Sequence, residues 1–247
     1  MLDGFVKFVY KNSDNFAISA NGFKNRILPY TNKNKKIEYL PNWADAFNTD
    51  LTPFEFSKEK KIHFTFAGNV GKVQNLDNII KAFGNLPAEY IEKGQLNIIG
   101  DGSHCEYLQN LVTKNDFKNI IFWGKKPREE MARYYKSSDF LIVSLVDEPI
   151  FSVTVPAKTQ TYIAAKKPIL AVIMGDTAEI IKSNNLGYCA NPNDIEDIKN
   201  KFISCIQSDT TTRENFVKQC EHLLDTTFNK EVIMDKMLNI LTQRNLK

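Results

Sequence analysis

The chain has 247 residues, enough for one large domain or two small ones with a core that needs no disulfide or metal staple. At 43% hydrophobic and 25% charged, it has the composition of an ordinary soluble globular protein, which excludes a wholly disordered chain, a collagen-like rod and a coiled coil. The net charge of +3 is too small to point to nucleic acid, and no run of about 18 apolar residues suggests a membrane-spanning helix. The basic residues are 27 Lys against 5 Arg, beside 25 Asn, a bias that reads as an AT-rich genome rather than as a binding signal. Cys105, Cys189, Cys205 and Cys220 lack metal-ligand spacing and read as scattered reduced thiols of a cytosolic protein. The N-terminus has no basic stretch followed by an apolar core, so a signal peptide is not expected.

Residues 1–45 begin with a helix-like pattern (Phe5, Phe8, Val9) and a short strand, Phe16–Ser19. A small helix over Asn21–Leu28 and a strand at Ile37–Leu40 follow, ending at Pro41-Asn42-Trp43. The Lys33–Lys36 run between them reads as a solvated turn. These units are too few for a core of their own. Residues 46–61 are polar and read as a linker.

From residue 62 the pattern changes. Apolar runs at Ile62–Ala67, Leu96–Ile99, Ile120–Trp123, Phe140–Leu145, Ile169–Ile173 and Tyr188–Ala190 are nearly continuous, as in strands buried on both faces. Helical stripes alternate with them. Leu76, Ile79, Ile80 and Phe83 recur at helical spacing, with Asn75 as expected N-cap and Gly84 as stop. Ser103 and Glu106 suggest a capping box before Leu108, Leu111 and Val112. Pro127 suits a first helical position, with Glu129 and Glu130 in the first turn. Ile195, Ile198, Phe202, Cys205 and Ile206 form a further stripe. Phe228, Val232, Ile233, Met237, Ile240 and Leu241 form a long final amphipathic helix. Repeated strand–helix units predict an α/β fold with a Rossmann-like, doubly wound parallel sheet. Such sheets bind ligands outside the carboxyl ends of their strands.

Four loops occupy that edge. Gly68-Asn69-Val70-Gly71-Lys72 follows a strand and precedes a helix, so its glycines admit an anion to backbone N–H groups and Lys72 adds charge. Gly100-Asp101-Gly102-Ser103 offers Asp101 to a ribose or sugar hydroxyl. Gly124-Lys125-Lys126-Pro127, with Met131 one turn on, suits a nucleobase with lysines near phosphates. Val146–Val155 leads into Pro156, placing Ser152, Val153 and Thr154 as backbone donors, with Lys158 and Thr161 on one helix face for a diphosphate. Each loop alone is equally readable as a turn, a cap or a solvated charge; their convergence is the signal. His63, His104 and His222 form no triad or metal set, and His63 reads as structural. Asp147-Glu148 reads as a solvated loop rather than an acid–base pair, and Ser144 lies in no hydrolase elbow.

These segments resemble the C-terminal, donor-binding half of GT-B glycosyltransferases of family 4. The likeness is nearest to the fucosamine-type branch of bacterial capsule and O-antigen synthesis. It rests on Phe66–Lys72, Ile98–Gly102, Phe122–Gly124, Pro127–Met131, Ser137–Asp139 and, most of all, Pro156-Ala157-Lys158 through Tyr162–Ala171, and it covers about residues 15–245. Ile37–Trp43 looks like that family's interdomain exit.

The resemblance implies residues 1–45 as a remnant of the N-terminal acceptor domain and 46–61 as a linker. Residues 62–226 would be the nucleotide-sugar domain and 227–247 a crossover helix. Two motifs depart from the family pattern. Asn69 and Gln74 stand where many members carry Arg and Lys, with Lys72 as a substitute. The E-x7-E pair is missing, its positions falling near Val153 and at Thr161, and Lys158 takes over phosphate contact.

The expected function is the donor-binding part of a retaining, metal-independent glycosyltransferase. It would transfer a sugar from a UDP-sugar to a lipid-linked saccharide at the inner membrane face, with no cofactor and peripheral membrane contact. With only a remnant of the acceptor half, the chain is expected to be a fragment or to need a partner chain. It is expected to self-associate through the apolar stripe of its last helix and to lack turnover alone. A non-catalytic nucleotide-sugar-binding subunit and a GT-B-like nucleotide-sugar epimerase are the alternatives.

Overall fold

The computed structural model describes residues 2–31, 35–44 and 50–242. The first part of the Lys33–Lys36 turn and residues 46–49 of the expected linker lie outside them. The chain runs α1 (Leu2–Asn12), β1 (Asn15–Ile18), α2 (Phe23–Ile27), β2 (Lys36–Tyr39), β3 (Ile62–Ala67), α3 (Leu76–Gly84), α4 (Ala88–Ile91), β4 (Gly94–Ile99), α5 (Cys105–Lys114) and β5 (Ile120–Gly124). It continues through α6 (Met131–Lys136), β6 (Phe140–Ser144), α7 (Ala157–Ala164), β7 (Ile169–Val172), α8 (Asp176–Ser183), β8 (Gly187–Ala190), α9 (Ile195–Gln207), α10 (Thr210–Asp225) and α11 (Lys230–Thr242).

Strands β3 to β8 form one parallel sheet in the order β5-β4-β3-β6-β7-β8. Successive side chains of a strand point to opposite faces, so each apolar run divides between two cores. Phe64, Phe66, Phe140, Ile142, Leu170 and Val172 face α3, α5 and α9. Ala67, Leu141, Val143, Ile169 and Ala171 face the side covered by α7, α8 and α10. Phe64 centres the first core: its ring lies 5.6 Å from that of Phe140 and 4.9 Å from that of Phe202.

Three polar side chains inside the strands are satisfied rather than exposed. The Ser138 hydroxyl donates to Thr65 Oγ1 at 2.6 Å, and Gln95 Nε2 and Trp123 Nε1 both donate to Asn97 Oδ1, at 2.8 and 2.9 Å. All four cysteines are free, and burial raises the thiols, Cys189 to about 11 and Cys220 to about 12.

Some local expectations need correction. Asn75 is left-handed (φ 54°) and does not cap α3; its amide instead donates to the Pro192 carbonyl at 2.8 Å. The capping box at Ser103 does not form, because α5 begins at Cys105 with His104 before it. His104 Nε2 meets Asp77 Oδ2 at 2.9 Å, tying α5 to α3. Pro127 precedes a 3-10 turn, Arg128–Glu130, rather than an α-helix. Residues 50–61 hold no helix or strand, yet Phe56 is buried and Phe54 packs 5.0 Å from Trp123, so this stretch lies on the domain as covering. Helices α8 and α10 are absent from the periodicity reading: α8 buries Thr177 and Ala178 beside Ile181, and α10 buries Phe216, Cys220 and Leu223 within a largely polar segment.

The first 44 residues make a second, two-stranded parallel sheet, β1 with β2, over a small cluster of Phe16, Ile18 and Ile27. It docks by polar contacts: Gly22 N donates to Asp176 Oδ2 at 2.7 Å, and Asn15 Nδ2 donates to the Ile240 carbonyl at 3.2 Å. Of the apolar stripe on the last helix, Ile233 is buried, while Val232, Met237 and Leu241 stay exposed, as do Phe5 and Phe8 on α1. Among the described residues no helix is long and apolar enough to cross a membrane.

Phe64→Ala should leave a cavity shared by four elements and cost about 3–5 kcal/mol of stability. The check is the urea midpoint at unchanged m-value.

Candidate functional site

The sheet reverses its strand order between β3 and β6. At such a reversal the loops leaving the two strands part in opposite directions and open a crevice at their carboxyl ends. Gly68 stands at that point on β3, and the loop after Ser144 leaves β6 beside it. The two loops are fastened across the gap: Ser144 Oγ donates to the Gln74 carbonyl at 2.7 Å, and Val146 N donates to the Val73 carbonyl at 2.9 Å.

The first and second loops are packed against each other through backbone. Gly68 N donates to Ile99 O, Val70 N to Asp101 O and His104 N to Val70 O, at 2.9, 2.9 and 3.0 Å. Gly100 N then donates to the Gly124 carbonyl at 3.0 Å, joining the third loop. Gly100 has φ of +139°, and a Cβ placed there would lie 1.8 Å from the Gly68 carbonyl oxygen. Only glycine fits this contact. Gly71 is fixed by Gln74, whose Oε1 accepts from Gly71 N at 2.9 Å and from the Asn69 amide at 3.3 Å.

The three loops wall an open cleft of about 660 Å³. Gly68, Asn69, Asp101, Gly102, Lys125 and Met131 of the sequence-predicted residues line it. The Asp101 carboxylate turns onto its own loop, accepting from Gly102 N at 2.7 Å through one oxygen. Lys126, Arg128 and Tyr135 also line the cleft. Tyr135 was not among the predicted residues; it sits at the buried end of α6, four residues beyond Met131, and that helical spacing is the signal that would have found it. Gly71, Lys72 and Gly124 are not among the residues walling the cleft, and Lys72 is exposed.

Lys158 stands at the reversal beside Gly68, although it is not among the residues that wall the 660 Å³ cleft. Helix α7 is clamped to the end of β3 by Tyr162, whose hydroxyl accepts from Ala67 N at 3.2 Å and donates to Ala67 O at 3.3 Å. One turn earlier on the same helix, Lys158 reaches over β3. Its Nζ lies 3.9 Å from the centre of the Phe66 ring and 3.2 Å from where a Gly68 Cβ would stand. Among the described residues it has no hydrogen-bond or carboxylate partner. Burial lowers the ammonium to about 8. A half-buried cation over an aromatic face, with no counter-ion among the described residues, favours an approaching anion.

The fourth loop supplies donors differently from expectation. Ser152 N and Thr154 N are already used, donating to the Glu148 and Phe151 carbonyls at 3.2 Å each. Among the described residues Val153 N, Val155 N and the first-turn Ala157 N and Lys158 N of α7 have no backbone acceptor. The unpaired N–H groups therefore sit on and just before the N-terminus of α7, where the helix dipole also favours negative charge. Thr161 donates its hydroxyl to the Ala157 carbonyl at 3.1 Å and faces a different crevice from the cleft, beside Asn42 and Trp43. Among the described residues no three His, Cys, Asp or Glu side chains converge.

The family model described as "Glycosyl transferases group 1" matches residues 48–222. A probable glycosyltransferase, WbjE of Pseudomonas aeruginosa, is 26% identical over 204 residues, covering 78% of this chain and 50% of its own length. The chain spans about half the length of the curated relatives it matches. Among solved structures, TarM of S. aureus, crystallised with UDP, superposes over 96% of this chain and 46% of its own with a TM-score of 0.71 at 16% identity. HepE of Anabaena, crystallised with UDP and glucose, covers 98% and 67% with a TM-score of 0.71 at 13% identity.

Two outcomes follow from the site. Gly100→Ala should cost at least about 2 kcal/mol in urea unfolding, because the new methyl and the positive φ both strain the joint of loops one and two. Lys158 has a folded pKa near 8 against an ordinary 10.5, so the unfolded chain holds the extra proton between those values. Stability should therefore rise with pH across that window, and the slope should flatten in Lys158→Met.

Proposed function

We propose, from the premise that this chain belongs to the group 1 glycosyl transferases, that it holds the nucleotide-sugar donor of such an enzyme. The observation that carries the reading is Lys158, an unpaired cation in the crevice of a reversed parallel sheet, beside the free N–H groups of α7. A diphosphate bridging Lys158 and those N–H groups meets positive charge without a metal ion. The cleft of the first three loops then takes the nucleoside, with Met131 and Tyr135 as apolar wall and Lys125, Lys126 and Arg128 at the rim. UDP is the nucleotide we assign, in line with the UDP seen in TarM and HepE.

In this reading the protein acts by electrostatics. As the bond from the sugar's anomeric carbon to the diphosphate breaks, negative charge grows on the departing oxygen. Lys158 and the α7 N-terminus are already aimed where that charge develops and need no reorganisation. The acceptor hydroxyl enters on the face the diphosphate leaves, so the anomeric configuration is retained. The acceptor we assign is a lipid-linked saccharide of bacterial surface polysaccharide. Support comes from WaaB, a lipopolysaccharide outer core galactosyltransferase that superposes with a TM-score of 0.70 at 17% identity.

Calorimetric titration tests the reading. UDP should bind in the micromolar to millimolar range, with an affinity unchanged by EDTA. Lys158→Ala should lose about 1.5–3 kcal/mol of UDP binding, the scale of a charge-assisted contact, and Lys72→Ala should stay within about twofold. The affinity should also fall between pH 7 and 9 as Lys158 discharges, and Lys158→Ala should not show that fall. No binding up to several millimolar UDP would sink the proposal.

A further inference from the structure

A second crevice, of about 310 Å³, is lined by Asn42, Trp43, Ala157, Gln160 and Thr161. It shares α7 with Lys158 but takes its other wall from the segment that follows β2. None of its five residues carries a charge, in contrast to the rim of lysines and arginine around the first cleft. Trp43 is 39% exposed, a large solvent cost for an indole that has neighbours to pack on. Its position is nonetheless held: Ala44 N donates to the Phe228 carbonyl at 3.2 Å, and Lys230 Nζ lies 5.5 Å from the ring centre.

The polar groups around the ring are available. Neither the Trp43 indole N–H nor the Asn42 amide has a hydrogen-bond partner among the described residues. Thr161 spends its proton on the Ala157 carbonyl, which leaves its oxygen lone pairs as acceptors. Gln160 is buried, and its amide satisfies its hydrogen bonds when the nitrogen donates to the Pro156 and Ala157 carbonyls at 3.1 and 3.2 Å. A hollow lined by uncharged residues, with a part-exposed indole and short amide and hydroxyl groups beside it and the Lys230 ammonium near the ring, matches a particular chemistry. A pyranose ring presents an apolar face of C–H groups and a rim of hydroxyls that both donate and accept. Aromatic side chains with a polar handle suit ligands that are apolar on one side and wet on the other.

We infer that the Trp43 crevice binds a pyranose ring, with Trp43 as the stacking platform and Asn42 and Thr161 as hydroxyl partners. The ring belongs either to the transferred sugar of the donor or to the acceptor saccharide, and the inference rests on the donor-binding reading above. It adds a determinant of sugar choice to a site otherwise built for phosphate and nucleoside.

Tryptophan emission reads the crevice directly, since the chain has two tryptophans and Trp43→Phe removes one. Wild type and Trp43→Phe are titrated with UDP, with UDP-glucose and UDP-GlcNAc, and with free chitobiose, while calorimetry follows affinity in parallel. The expected result is an emission shift in wild type that Trp43→Phe lacks. A shift with a UDP-sugar assigns the donor's ring, and a shift with chitobiose assigns the acceptor's. Trp43→Ala should weaken the ligand that gives the shift about threefold to tenfold and leave UDP affinity unchanged. Trp43 is exposed, so circular dichroism should show both variants folded. A shift with UDP alone, or none with any ligand, overturns the inference. If calorimetry still records UDP binding, only the crevice assignment falls; if it records none, the donor-binding reading falls as well.

Discussion

The candidate site depends on how closely the ends of β3 and β4 approach. The Gly68 carbonyl lies where a side chain on Gly100 would begin, so backbone meets backbone with nothing between. That contact lets Val70 and Asp101 share a hydrogen bond, sets the second loop under the first and brings the Gly124 carbonyl onto Gly100. Three loops from three strands become one rigid wall. A methyl group at residue 100 would part them and with them the cleft.

Opposite that wall the protein places charge by burial rather than by number. The chain has 32 basic residues, and most are solvated, where water and salt weaken their pull on a ligand. Lys158 differs because Tyr162 holds its helix against Ala67 and the ammonium lies over the Phe66 ring. A charge held this way interacts strongly with whatever negative group reaches it, and its own lowered pKa records the cost of keeping it there. The N–H groups around the start of α7 that lack a partner among the described residues add positive potential that cannot titrate away.

The first 44 residues meet the larger sheet's domain through a few polar contacts, of which Gly22 with Asp176 is the shortest of those named. Asp176 opens α8, so its carboxylate also lies at a helix N-terminus, where the dipole favours it. The segment leaving β2 then carries Asn42 and Trp43 to α7 before the chain enters the larger domain. One helix thus connects the strand reversal, through Lys158, with the two-stranded sheet's exit, through Ala157 and Thr161.

The amino-acid sequence by itself determined the sheet. Its strands are buried on both faces, so their apolar runs are continuous and stand out from every neighbour, and Ile62–Ala67 begins and ends where the run does. It also marked the four loops, three by a glycine at a strand end and the fourth by Pro156 at a helix start, because all four fall on one edge of the sheet. Capping was less legible: Asn75 looks like a helix cap, but a carbonyl 117 residues away, Pro192, competes for its amide and wins. Helices α8 and α10 escaped notice because the residues they bury, Thr177 and Ala178 among them, stand among polar neighbours. The tertiary structure alone decided how the two lysines differ. Lys72 and Lys158 are chemically identical and both follow a strand-to-helix loop, yet one is exposed while the other is carried over Phe66 by a helix clamped to β3. Burial and the absence of a partner depend on residues far away in the chain, and no local pattern around a lysine encodes them.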